Sequence, residues 1–399
     1  MMLFKILLAL AFLYCALTVV YLFVFSLAGR WPRRTARHRA LHQRRMAVLI
    51  PGYKEDAVIV ETARQALQQT YPHDHYRVVV IADSFQPETL ATLRALPVDV
   101  LEVSFARSTK AKALNAALEW LPGERYDLCV VLDADNVMAA DFLERVNEAF
   151  DGGSRVVQGR RVAKNSDTPM ALLDAISEEI NNHIFRKGHR TLGLSAALIG
   201  SGMAFEYALF HRLMRTVRAV GGFDKELELK LLRDGLRIDY LDEALVYDEK
   251  VQQAAALVPQ RTRWLAAQGH YGRAYAGEAV RHLVCHGNLD FFNKAMQMLL
   301  PPRIVLVGLL PLSTILACLL GAWSWGVWWF ALTALLGASL LLAIPARFYR
   351  KDLWRALAYL PQGFALMLVA LLRSPTGNRT FLHTPHDVVI VASHPEHTS

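Results

Sequence analysis

Cysteine is scarce in this chain of 399 residues: the four present, Cys15, Cys129, Cys285 and Cys318, are far apart and never in a C-x-x-C spacing. That excludes a disulfide scaffold and a cysteine-based metal site, and it suits a reducing compartment. Glycine-rich phosphate loops are missing too. No G-x-G-x-x-G follows the first strand-like run and no G-x-x-x-x-G-K-[ST] occurs, so neither a dinucleotide fold nor a P-loop is supported. Charge is absent from two stretches, residues 6–29 and 304–346, which contain no Asp, Glu, Lys or Arg. At ~1.5 Å per residue the first exceeds the ~30 Å hydrocarbon core, and it is too long for the apolar run of a cleaved signal peptide. It reads as a retained signal anchor. Acidic residues are lacking from residues 30–45, which hold Arg30, Arg33, Arg34, Arg37, Arg39, Arg44 and Arg45. By the positive-inside bias this cluster puts the N-terminus outside and the following domain in the cytoplasm. The net charge of +8 is therefore mostly membrane topology. Without an interleaved pattern of stacking aromatics the cluster gives no reason to expect a nucleic-acid partner.

What is present is a composition of 53% hydrophobic and 20% charged residues, able to build a buried core. Residues 304–346 suit a helical hairpin broken around 321–326, with Trp328 and Trp329 placed for an aromatic belt. The segment 353–372 is interrupted by Pro361-Gln362-Gly363 and flanked by Arg347, Arg350, Lys351, Arg355 and Arg373, which favours a helix on the cytoplasmic surface over a fourth span. The organisation expected is a transmembrane anchor over 1–29, a basic juxtamembrane segment over 30–45 and a cytoplasmic catalytic domain over 46–280. An interfacial helix over 281–302, a transmembrane hairpin over 303–346, an amphipathic interfacial helix over 347–373 and a cytoplasmic tail over 374–399 follow.

From Met46 short β-rich runs alternate with longer amphipathic stretches: Val48-Leu49-Ile50, Val78 to Ile81, Val98 to Val103, and Cys129 to Leu132. This is an α/β pattern, whose ligands gather beyond the carboxyl ends of the strands. Those ends are polar here: Tyr53-Lys54-Glu55, Asp83-Ser84 and Asp133-Ala134-Asp135-Asn136. Two carboxylates at i and i+2 can approach one divalent ion, and Mg²⁺ typically takes one or two carboxylates plus substrate phosphates. A solvated strand-end turn explains the tripeptide equally well. Lys110 and Lys112 open a helix whose amide end would also favour a diphosphate. Gln260, Arg263 and Trp264 fall on adjacent turns of another, joining an amide, a guanidinium and an indole face.

On the strings VLIPGYKED, VVVIADS, KAKALNAAL, VVLDADN, ELELKLLRDGLRIDYLDEALVYDE and QRTRW, the chain resembles a membrane-integrated family-2 glycosyltransferase of the cellulose, chitin and hyaluronan synthase type. The resemblance implies a glycosyltransferase-A-like α/β domain inserted between transmembrane helices, in the inner membrane with the domain cytoplasmic. It implies transfer from a nucleotide-diphosphate sugar, a UDP-sugar in the first instance, with inversion and with Mg²⁺ or Mn²⁺. The acceptor would be a growing polysaccharide, with transfer of one sugar to a membrane lipid, or a non-catalytic nucleotide-binding subunit, as alternatives. Carried over by position, Glu55 and Asp83 contact the nucleoside, Lys110 the diphosphate, Asp133 the nucleotide and Asp135 the metal, with Gln260, Arg263 and Trp264 also on the donor.

The chain departs from the family where T-E-D commonly precedes the catalytic helix. It reads Asp224-Lys225-Glu226-Leu227-Glu228, which puts Glu226 over the general base, with Asp224 as the second candidate and as a natural N-cap. Residues 177–187 and Gly200-Ser201-Gly202 fall where acceptor-side elements lie, and His183 reads as a hydrogen-bonded interface residue. Phe381 to His386 resembles a cellulose synthase gating loop with His386 in the lysine position. Few C-terminal spans make a narrow base for a polymer channel, which a homodimer would widen.

Overall fold

A computed structural model describes residues 2–31, 40–219, 221–250, 254–349 and 351–374. The continuous apolar runs become the strands of an eight-stranded sheet in the order β3-β2-β1-β4-β7-β6-β8-β5. These are β1 (Met46–Tyr53), β2 (Tyr76–Asp83), β3 (Asp99–Val103), β4 (Leu128–Val131), β5 (Val137–Met138), β6 (Val156–Ala163), β7 (Met203–Glu206) and β8 (Asp239–Asp248). The runs are unbroken because both faces are covered. Ala47, Leu49, Val79 and Ile81 point into one core, Met46, Val48, Val78 and Val80 into the other, as a period of two requires.

β1 pairs in parallel with β2 and β4, so the chain leaves β1 toward one edge for β2 and β3 and returns to the opposite side for β4. A crevice forms at such a reversal, outside the strand carboxyl ends. Beyond it β7 runs antiparallel to both β4 and β6, and β8 is parallel to β6.

A third core lies outside the sheet. The N-terminal helix Met2–Ala28 packs on the helix Trp323–Ala343 through Val19, Leu22, Trp329, Leu332 and Leu336. Phe12 meets Trp325 and Trp329 edge-on, and Ser26 Oγ donates to the Ser339 carbonyl oxygen at 2.6 Å, so the two helices run in the same direction. The expected hairpin is present as Arg303–Leu319 and Trp323–Ala343. Only Lys5–Ala28 and Trp323–Ala343 are long and apolar enough to cross a membrane among the described residues. The 17 residues of Arg303–Leu319 reach ~26 Å, short of the ~30 Å core.

Two expected boundaries shift. The limit at residue 280 falls inside one continuous helix, Ala254–His286, and the next helix is Leu289–Gln297. The expected interfacial helix is two, Lys351–Ala358 and Leu360–Arg373. The second packs on the hairpin, with Gly308 against the Phe364 ring and Gly363 against Ile304. The tail from 375, including the gating-loop comparison at Phe381 to His386, lies outside the described residues.

Candidate active site

The carboxyl ends of β1, β2 and β4 open into a cleft of about 700 Å³. Along one wall two non-glycine residues adopt left-handed backbone, Lys54 (φ 55°) after β1 and Ser84 (φ 61°) after β2. Such conformations cost ~1–3 kcal/mol each and gather at functional sites. Glu55 and Asp83, next to them in sequence, border the cleft. Asp83 is buried and accepts a hydrogen bond from Ser84 Oγ at 2.9 Å.

Lys110 begins its helix, Lys110–Trp120, behind Thr109, whose hydroxyl accepts from the Lys112 amide at 3.3 Å. The Lys110 ammonium pairs with Asp133 Oδ1, donates to the Gly200 carbonyl oxygen at 2.7 Å and lies 5.4 Å from the Phe223 ring centre. Lys112 is occupied instead with the Arg107 carbonyl oxygen at 2.8 Å. Asp135 is buried, with Oδ1 accepting from Asn136 Nδ2 at 3.0 Å. Burial pushes the Lys164 ammonium, bonded to the Asp135 carbonyl oxygen, below the ordinary lysine range despite the pull of Asp135 and Asp248.

Asp133 and Asp135 therefore put two hard oxygen donors at the end of β4. Among the described residues no group of three His, Cys, Asp or Glu could hold a metal, so Mg²⁺ or Mn²⁺ would draw its other ligands from phosphate and water, as Mg²⁺ ordinarily does. The donor set fits such an ion.

The acidic helix, Phe223–Arg233, places the two candidate bases in unlike surroundings, and Glu226 is not on the cleft as the expectation required. Gly222, at φ 66°, occupies the N-cap position, so Asp224 is not the cap. Asp224 lines the cleft close to Gly200, the residue whose carbonyl oxygen holds Lys110. Lys225 Nζ stands 3.6 Å from Asp224 Oδ2 and donates to the Leu198 carbonyl oxygen at 2.7 Å. Glu226 faces away from the cleft. It is buried, pairs with Lys230 at 2.6 Å and accepts from the Arg218 amide at 3.1 and 3.2 Å. At ~100° per residue, positions i and i+2 lie on opposite faces, so only one of the two carboxylates can face the cleft. Glu228, one turn on from Asp224, does line it, accepting from the Leu198 amide at 3.1 Å and standing 3.1 Å from Lys294 Nζ.

Gln260, Arg263 and Trp264 border the same cleft from the long helix. Arg261 pairs with Asp174, its guanidinium 4.4 Å from the Trp264 ring centre. His183 Nε2 donates to the Ser26 carbonyl oxygen at 2.8 Å, the interface role expected of it. Nearby, Tyr21 Oη donates to Asn293 Oδ1 at 3.0 Å and meets His189 Nε2 at 2.8 Å.

A buried charge network went unread in the sequence. Arg161 donates to Glu178 at 2.9 Å and Arg186 to its other oxygen at 3.0 Å; Asp248 accepts from Lys250 at 2.7 Å and from Asn136 at 3.1 Å. Burial would raise the Glu178 carboxyl, but Arg161 and Arg186 hold it well below the usual range, as Lys250 and Arg161 do for Asp248. The available signal was Arg160-Arg161 inside the mostly buried strand β6.

Residues 42–267 match the family described as glycosyltransferase like family 2. The chain belongs to that family. It is 30% identical over 243 residues to a beta-monoglucosyldiacylglycerol synthase of Trichormus variabilis, covering 57% of this chain and 49% of that protein. It is 33% identical over 125 residues to glucans biosynthesis glucosyltransferase H of Rhodopseudomonas palustris, covering 28% of this chain and 17% of that one. The chain thus spans about half or less of these curated relatives. Among solved structures the mannosyltransferase PcManGT of Pyrobaculum calidifontis, in complex with GDP-Man and Mn²⁺, matches with a TM-score of 0.54 at 18% identity over 92% of this chain and 97% of that one. That likeness supports the glycosyltransferase-A-like α/β fold.

Proposed function

We propose that this family member moves a sugar, with inversion, from a nucleotide-diphosphate donor to a hydroxyl of a membrane-associated acceptor. The observation that carries the proposal is one cleft bordered by Glu55, Asp83, Lys110, Asp133, Asp135 and Asp224 together with side chains of the apolar helices, Ile304 and Met367. In this reading Glu55 and Asp83 bind the nucleoside, and Lys110 binds the diphosphate. Asp224, rather than Glu226, takes the acceptor proton. Asp135, with Asp133 beside it, would hold Mg²⁺ or Mn²⁺, which offsets negative charge on the leaving diphosphate. Gln260, Arg263 and Trp264 close the donor side. UDP-sugars are the first donors to test.

The aliphatic lining, Leu173, Leu257, Leu300, Ile304 and Met367, favours transfer of one sugar to a lipid over the polymer growth of the cellulose, chitin and hyaluronan synthase type. Lys5–Ala28 and the hairpin would set the domain on the cytoplasmic face of the inner membrane, and a homodimer is needed only for the polymer reading.

Membranes carrying the full chain should move radiolabel from at least one of a panel of nucleotide sugars into a membrane-bound product, and Asp224→Asn should stop it. Folded protein that binds no nucleotide sugar and labels nothing would defeat the proposal.

A further inference from the structure

The choice of acceptor lipid rests on the transfer reading above and turns on Arg303. This residue begins the apolar helix Arg303–Leu319 and borders the cleft, as do Leu300, Ile304 and Met367. Its Nη2 donates to the Ser177 carbonyl oxygen at 3.1 Å, to Ser177 Oγ at 3.3 Å and to Asn181 Oδ1 at 2.8 Å, and the guanidinium lies 5.7 Å from the Phe185 ring centre. None of these partners is an anion. Among the described residues Nη1 is buried without a hydrogen-bond partner.

The neighbouring carboxylates are committed elsewhere, Glu178 to Arg161 and Arg186, and Asp174 to Arg261. A guanidinium nitrogen buried with neither a partner nor a carboxylate bonded to it is unfavourable unless an anion arrives with the ligand. Among the described residues Gln260 Oε1 and Gln297 Oε1 are also buried without donors, and both residues border the same cleft. Amide oxygens accept from hydroxyls. Leu300, Ile304 and Met367 also border the cleft, Ile304 on the first helix of the hairpin and Met367 on the helix Leu360–Arg373 that packs against it, a lining suited to acyl chains.

We propose that the acceptor is a lipid whose headgroup carries a phosphate and a free hydroxyl, the phosphate held at Arg303 and the hydroxyl turned toward Asp224. In the transfer the hydroxyl oxygen forms a bond to the anomeric carbon. The bond from that carbon to the donor's diphosphate oxygen breaks, the nucleoside diphosphate leaves with the electron pair, and the hydroxyl proton passes to Asp224. Charge complementarity and the apolar lining from the hairpin and the helix packed against it identify the occupant as a lipid rather than a free phosphate.

The test is the full chain in phosphatidylcholine vesicles containing phosphatidylglycerol and phosphatidylinositol, which have phosphate and hydroxyls, or diacylglycerol, which has a hydroxyl alone. Each is given the radiolabelled nucleotide sugar that the membranes accept. Label should enter the phosphate-bearing lipids ~10-fold or more above diacylglycerol. Arg303→Gln should raise their KM by ~10–100-fold, the range of a lost charge-assisted hydrogen bond, with nucleotide affinity unchanged, and Arg303→Lys should recover part of it. Equal or greater labelling of diacylglycerol, label confined to polymer, or an Arg303→Gln variant that loses nucleotide affinity would overturn the inference. If that variant fails to fold, the wild-type lipid preference decides alone. Nucleotide binding with no transfer to any acceptor would instead overturn the transfer reading itself.

Discussion

Asp224 and Glu226 sit two residues apart and have unlike surroundings, so their substitutions should fail in different ways. Asp224→Asn should lower turnover by roughly 10²–10⁴-fold with thermal stability and nucleotide affinity nearly unchanged. Glu226→Gln strips the charge partner from buried Lys230, and breaking a buried pair costs ~3–5 kcal/mol. It should unfold more easily while the folded fraction keeps its turnover. Steady-state kinetics beside thermal unfolding in detergent separates the two, and an inactive but stable Glu226→Gln protein would restore it as the base. Glu178 gives a pH test. Its folded pKa lies below the unfolded value, so its stabilisation is full above the usual ~4.3 and lost as pH falls from there through the folded value. The gap in unfolding temperature between wild type and Glu178→Gln should therefore be widest at pH 7, begin to shrink below about pH 4.3 and keep shrinking as the pH falls further. A gap that widens on acidification would contradict the sign. Strand-end residues were legible because a run such as Cys129 to Leu132 announces where its carboxyl end must be. The carboxylate that borders the cleft was not, because a string of acidic residues does not state which helix face meets the cleft. Asp224 and Glu228 share one face, and Glu226 and Lys230 the other.

Elements read more clearly than residues. The apolar runs gave the strands around β1, β2 and β4, and the Gly321 break gave the hairpin turn, since both follow from local periodicity. The limit at residue 280 failed because the helix Ala254–His286 continues through it without a breaking residue, held by packing that a local window does not see. The start of the acidic helix was misread for a related reason: Asp224 has the chemistry of an N-cap, but Gly222 supplies the left-handed turn. An alanine there would be strained at φ 66°, and its Cβ would lie 2.8 Å from Ala267 Cβ. We expect Gly222→Ala to cost ~1–2 kcal/mol and to lower turnover by displacing Asp224, with nucleotide affinity retained. Unchanged turnover would mean that the helix start is not what aims the carboxylate.

For the whole molecule the proposed topology is open to labelling. In a Cys285→Ser background, a cysteine at Ser324 should react with a membrane-impermeant thiol reagent from outside intact cells, and one at Arg355 only after permeabilisation. The reverse pattern would invert the molecule. Asp135→Ala and exhaustive chelation should each abolish turnover, because the diphosphate would lose its bridging cation. Activity that survives chelation would remove the metal from the scheme.

The bond from Ser26 to Ser339 spans 313 positions of sequence. At ~5–20 residues per second of synthesis, the first helix of this chain waits roughly 15–60 s before the surface it packs against has been made. During that time Thr18 can bond back to the Tyr14 carbonyl oxygen within its own turn, and His183 and His189 arrive to meet the Ser26 carbonyl oxygen and Tyr21, but the Ser26 hydroxyl still has no native partner. The ribosome therefore finishes the α/β domain before the helical core can close, and the last helices assembled complete the surface that holds the earliest one in place.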